Sequence, residues 1–172
     1  MGLIVQKFGG TSVADLDRIR NVAKRVAGTY DRGNDVVVIL SAMAGVTDTL
    51  IGMARQVTDT PDKRELDVLL ATGEQTTAAL LAMTLRAMNY SAESILGHQA
   101  KVVTDCAFGN ARILDIGPDP IRALLQDRKI VVMAGFQGCD INGNITTLGR
   151  GGSDTSAVAI AAAIKATICE IY

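Results

Sequence analysis

Apolar and polar positions alternate in blocks along this chain, and each block carries the period of one kind of element. Leu3, Ile4, Val5 and Phe8 form a short apolar run interrupted by Gln6 and Lys7, as a buried strand requires. Gly9 and Gly10 end it, and Ser12 with Asp15 reads as a loose capping box opening a helix. Leu16, Ile19, Val22, Ala23 and Val26 then recur at helical spacing, with Arg18, Arg20, Lys24 and Arg25 on the other faces, which predicts an amphipathic helix. Asp35–Ser41 is a continuous β-branched run, a strand buried on both sides, and it leads into a small-residue loop over Ala42–Asp48. A long helical stretch follows from about Arg64 to Met88, with a break expected at Thr72 and Gly73. From Tyr90 to Leu114 the pattern shortens into small strands and a hairpin, read as a lid or flap. Pro118 and Pro120 precede a short helix ending near Gln126. Lys129–Gly135 is a third buried strand running into a glycine turn at Phe136–Gly138. Asp140–Thr147 reads as a hairpin about Asn142 and Gly143. Leu148–Ser156 is a glycine-rich loop, Ala157–Ile164 a close-packed helix, and Thr167–Tyr172 a final strand.

Strands alternating with helices predict an open α/β fold, a mainly parallel sheet covered by helices on both faces. If the strands are parallel, the ends at Lys7–Gly10, Ser41–Gly45 and Gly135–Gly138 share one edge, where such sheets bind ligands. The first of these is a strand, an anion-binding turn and a helix start, and phosphate is the natural occupant. A generic tight connection with a surface lysine accounts for the same residues.

Composition narrows the field. The 172 residues are 48% hydrophobic and 20% charged with a net charge of -1, and no basic block is present to neutralise a nucleic acid. The apolar runs Val36–Leu40 and Ala157–Ile164 are too short to span a bilayer. The start of the chain has no basic segment before its apolar part, so a cytoplasmic location is expected. Cys106, Cys139 and Cys169 are widely spaced and odd in number, which fits reduced thiols and no metal site.

The most informative motif is Gly149-Arg150-Gly151-Gly152-Ser153-Asp154-Thr155-Ser156. Its backbone N–H groups can meet one anion, while Arg150 can grip a carboxylate with two prongs; Ser153 or Asp154 acting as a helix cap is the plain alternative. Glu74 has an equally plain role, as an acidic residue in the first turn of a helix. Neither a P-loop nor a GxGxxG fingerprint occurs.

KFGGTSV at 7–13, SAMAGVTD at 41–48, ATGEQ at 71–75, AGFQG at 134–138 and TTLGRGGSDTSA at 146–157 together resemble the aspartokinases of the amino acid kinase superfamily, in order and spacing over essentially the whole chain. The resemblance implies a three-layer α/β/α fold and ATP-dependent phosphorylation of the L-aspartate β-carboxylate, the first step toward lysine, threonine and methionine. It implies Lys7 and Asp154 as catalytic residues. Lys7, Gly9, Gly10 and Ser41 would lie at the ATP phosphates, and Thr47, Glu74, Arg150, Ser153 and Asp154 at aspartate. Charge pairing would give Arg150 the α-carboxylate and Glu74, with Asp154, the α-ammonium. Magnesium would be bound mainly by ATP. The family continues beyond Tyr172 with a TDVxGVYTxDPR-like segment, further nucleotide-binding strands and usually ACT domains. The resemblance therefore implies an amino-terminal part of a kinase domain, inactive alone, from an enzyme that is a homo-oligomer at full length. A relative acting on acetylglutamate or glutamate, or a non-catalytic amino-acid-binding module, would share much of this pattern.

Overall fold

The computed structural model describes residues 2–149 and 151–172. Five strands form the main sheet: β1 (Leu3–Phe8), β2 (Asp35–Leu40), β3 (Ala92–Ile95), β6 (Ile130–Ala134) and β9 (Ile168–Ile171), in the order β3-β6-β2-β1-β9. Every pairing is parallel, so the expected α/β architecture is the one observed. A smaller sheet has the order β5-β4-β7-β8 and combines β4 (Val102–Thr104), β5 (Ile113–Ile116), β7 (Gln137–Cys139) and β8 (Ile145–Thr147).

The period-two geometry of a strand sorts the β-branched run of β2 between two cores. Val36, Val38 and Leu40 join Ile19, Val22, Leu81 and Leu85 on one face, under α1 (Leu16–Asp31) and α3 (Lys63–Ala87). Val37 and Ile39 join Ile121, Leu125, Ile160 and Ile164 on the other, under α4 (Asp119–Gln126) and α5 (Gly152–Ile164). Buried on both faces, such a sheet can be apolar without a break.

Four expectations are corrected. The cap of α1 is Asp15, whose side chain accepts from Arg18 N–H at 2.8 Å; Ser12 belongs to a separate 3-10 turn over Gly10–Val13. The loop expected over 42–48 ends at Val46, where α2 (Val46–Val57) begins, so its hydroxyls and small residues mask a helix start. α3 runs through Thr72 and Gly73 without a break. Gly73 is there for close approach: a Cβ on it would lie 2.8 Å from the Cβ of Ala42. The segment read as a lid divides, because β3 pairs with β6 inside the main sheet while β4 and β5 pair antiparallel in the smaller one. The turn at Asn142 and Gly143 stands as expected, with Gly143 N–H donating to Asp140 C=O at 3.0 Å.

By length and composition α3 could cross a membrane. It buries Leu70, Ala71, Ala78, Leu81 and Leu85 together with Asp67 and Glu74, and it packs on β3, β6 and β8, which makes it the core helix of the layer.

Candidate active site

Parallel pairing brings the carboxyl ends of β1, β2 and β6 to one edge, and a cavity of about 510 Å³ opens there. Lys7, Ser41, Thr47, Glu74, Ser153 and Asp154 all line it. Six of the residues singled out from sequence thus converge, from four separate segments of the chain. Arg150 lies outside the described residues, although its neighbours Gly149 and Gly151 line the same cavity.

Lys7 sits on β1 at 8% exposure. An ammonium so buried needs a partner, and Asp154, in the first turn of α5, supplies one by ion pairing with it. The Asp154 side chain is half exposed at 51%, so the pair has one face in the cavity and one toward solvent. Neither Ser153 nor Asp154 caps α5: Gly151 occupies the cap with no side-chain hydrogen bond. The first N–H groups of α5 therefore have no side-chain cap, and the positive end of its dipole lies at the cavity.

Glu74 is the most perturbed group here. It lies in the middle of α3, not in a first turn, and is 3% exposed. Its Oε1 accepts from Ala42 N–H at 3.1 Å, while Oε2 is buried with no partner among the described residues. Burial raises its pKa from 4.5 to about 7, against the opposing pull of the Ala42 N–H and its own backbone. A carboxyl group left this way has one oxygen available for a cationic donor.

The glycine pair behaves differently from the expectation. Gly9 N–H donates to Tyr172 C=O at 3.0 Å, extending the β1–β9 pairing, so it is not offered to a phosphate. Gly10 opens the 3-10 turn, where the leading N–H groups have no partner within the turn. Neither glycine lines the cavity.

Asp48, Phe136 and Gly109 line the cavity and were not singled out from the sequence. Asp48 follows Thr47 in the first turn of α2, and recognising that helix would have marked it. Phe136 has φ +68, a conformation uncommon for a bulky residue that periodicity does not reveal. Among the described residues no group of three or more His, Cys, Asp or Glu side chains is gathered in one place, so the donor set of a protein-held metal centre is not assembled among them.

A model of the amino acid kinase family matches residues 2–172. The aspartokinase of Bacillus sp. (strain MGA3) is 59% identical over 172 residues, which is all of this chain and 42% of that protein. The aspartokinase of Geobacillus stearothermophilus is 55% identical over the same span, again 42% of its length. The aspartate kinase from Synechocystis superposes with a TM-score of 0.84 at 47% identity, over 99% of this chain and 28% of that one. E. coli aspartokinase III in complex with aspartate and ADP gives 0.83 at 25% identity, over 99% and 48%. The chain thus spans less than half the length of these relatives. With the family model matching throughout and the three-layer architecture shared, the chain belongs to the amino acid kinase family.

Proposed function

We propose that the protein carrying this chain transfers the γ-phosphoryl group of ATP to the β-carboxylate of L-aspartate, giving aspartyl phosphate and ADP, at the head of lysine, threonine and methionine synthesis. The observation that carries the reading is Glu74, a buried carboxyl in the cavity wall whose Oε2 has no partner among the described residues. An α-ammonium would supply the missing donor. Arg150, by its charge and its place in the glycine-rich sequence, would take the α-carboxylate, and Thr47 and Ser153 would offer hydroxyls to the substrate.

The chemistry asks little of a base. A β-carboxylate is already ionised at neutral pH, so one of its oxygens attacks the γ-phosphorus while the bond to the ADP oxygen breaks. The difficulty is bringing two anions together and steadying charge on the moving phosphoryl group. The position of Lys7 near the end of β1, in the cavity wall and paired with Asp154, supports that role, and phosphate oxygens would compete with Asp154 for its ammonium. Ser41 would add a hydroxyl around the phosphates, with the positive end of the α5 dipole at the same cavity. Magnesium would be held chiefly by the nucleotide's phosphates, with Asp154 as a cavity-lining carboxyl that could join it, and would supply charge neutralisation when bound.

The test is hydroxylamine trapping of acyl phosphate in the native full-length protein, with L-aspartate, L-glutamate and N-acetylglutamate compared. Trapping with aspartate alone is the expected result. Preference for N-acetylglutamate, which has no α-ammonium, would overturn the role given to Glu74.

A further inference from the structure

Asp67 lies on α3 two turns before Glu74, outside the set of residues that could touch substrate. It is fully buried at 0% exposure. Its Oδ2 accepts from Gly109 N–H at 2.9 Å and from Thr147 N–H at 2.8 Å. Its Oδ1 accepts from the Thr147 hydroxyl at 2.7 Å. One carboxyl group thus joins three parts of the chain that are remote in sequence: α3, the loop between β4 and β5, and the end of β8.

Those two anchored segments are the supports of the glycine loop. Ala111 N–H donates to Thr147 C=O at 2.9 Å, tying loop to strand a second time. Gly149, two residues past Thr147, approaches Asn110 so closely that a Cβ would lie 2.8 Å from Asn110 Oδ1. Gly109, Gly149, Gly151 and Gly152 are all cavity wall. A glycine-rich segment has little stiffness of its own, so its position is set by what holds its flanks.

We propose that Asp67 is a positioning residue for the amino-acid end of the cavity: it fixes the 109–111 loop and the end of β8 to the helix that carries Glu74, so that the glycine loop stands opposite Glu74 at a set distance. This rests on the aspartate reading for its substrate but not for its mechanics. Removing the carboxyl leaves the buried Thr147 N–H without its acceptor and frees the Gly109 N–H of the exposed loop to find water. Both grips on the substrate, Glu74 and the glycine loop, are then no longer referenced to one rigid element.

Three variants of the native full-length protein test it. Asp67→Leu should raise the KM for aspartate about tenfold or more, as the loss of such bonds implies, with the KM for ATP little changed. Amide exchange at Gly109 should accelerate while β1 and β2 keep their protection. Asp67→Asn can turn its oxygen to the two N–H groups and its amide to the Thr147 hydroxyl, so it should restore most of the aspartate KM. Thr147→Val, which keeps the backbone bond and loses the hydroxyl, should give an intermediate rise and faster exchange at Gly109, and it decides the question if Asp67→Leu does not fold. An unchanged aspartate KM, an equal rise for both substrates, or unaltered exchange at Gly109 would overturn the proposal. If the unmodified protein shows no aspartate-dependent phosphoryl transfer, the substrate reading fails, and the exchange measurement alone judges Asp67.

Discussion

Lys7 and Glu74 are both charged groups taken out of water, and they are handled in opposite ways. Lys7 is given a counter-charge, Asp154, at the point where a phosphoryl group would arrive. Lys7→Ala should lower kcat about a hundredfold or more, the scale of removing one donor to developing charge, with a smaller change in aspartate binding; steady-state kinetics of the full-length protein separate the two. Glu74 meets no cation among the described residues, and burial raises its pKa from 4.5 to about 7. The folded state therefore binds more protons than the unfolded chain between those two values, so this group lowers stability as pH rises from about 4.5 to about 7 and levels off above. The displacement corresponds to a penalty on the order of 3 kcal/mol at high pH. Glu74→Gln should flatten the pH dependence of Tm across that window, as followed by thermal melts in the absence of ligand. Because an ammonium needs the ionised form, aspartate affinity in the unmodified protein should strengthen as pH rises through 7, and calorimetric titration at pH 6 and 8 reads the sign directly.

At the scale of elements, α3 couples fold to site. Its face toward the sheet is apolar at Leu81 and Leu85 and polar nearer its start, at Asp67 and Glu74, so one helix closes the core with one half and furnishes the cavity with the other. Gly73 makes this possible by letting α3 approach the turn after β2, where Ala42 N–H meets Glu74. Gly73→Ala would raise helix propensity by about 1 kcal/mol in isolation. Here it should destabilise by about 1–3 kcal/mol, since the new methyl would overlap the Ala42 Cβ. Urea denaturation measures this, and an increase in stability would show that the two elements can separate freely.

Across the whole molecule, the main sheet ends on β9, whose Ile168 and Ile171 are half exposed at 49% and 52%, with Tyr172 at 42%. Tyr172 is partly held by stacking on Phe8 at 4.9 Å and by the Arg25 guanidinium 4.4 Å above its ring. An apolar edge strand of this kind invites pairing with another strand. The isolated 172-residue chain should therefore associate with rising concentration, and Ile171→Lys should suppress it. Light scattering over a concentration series is the check; a monomer throughout would mean that the stacked Tyr172 protects the edge sufficiently.

What the sequence determined by itself was local. Runs of β-branched residues marked β1, β2 and β6, helical spacing marked α1 and α3, and the glycine-flanked strand ends pointed to a shared edge, because periodicity and turn chemistry act over neighbouring residues. The motifs carried Lys7, Ser41, Thr47, Glu74, Ser153 and Asp154, and the fold gathers all six around one cavity. Long-range contact decided the rest. That Thr72 and Gly73 continue a helix depends on Ala42 packing against it; that Gly9 spends its N–H on Tyr172 depends on a strand paired from the far end of the chain. β3 is a sheet strand because β6 is beside it, not because of its own four residues. Asp67 looks like one more polar position on an amphipathic helix until Gly109 and Thr147, 42 and 80 residues away, are brought to it. Hydrogen-bond partners at that separation leave no periodic trace, so only the folded chain could show that its most deeply buried carboxyl is a clasp.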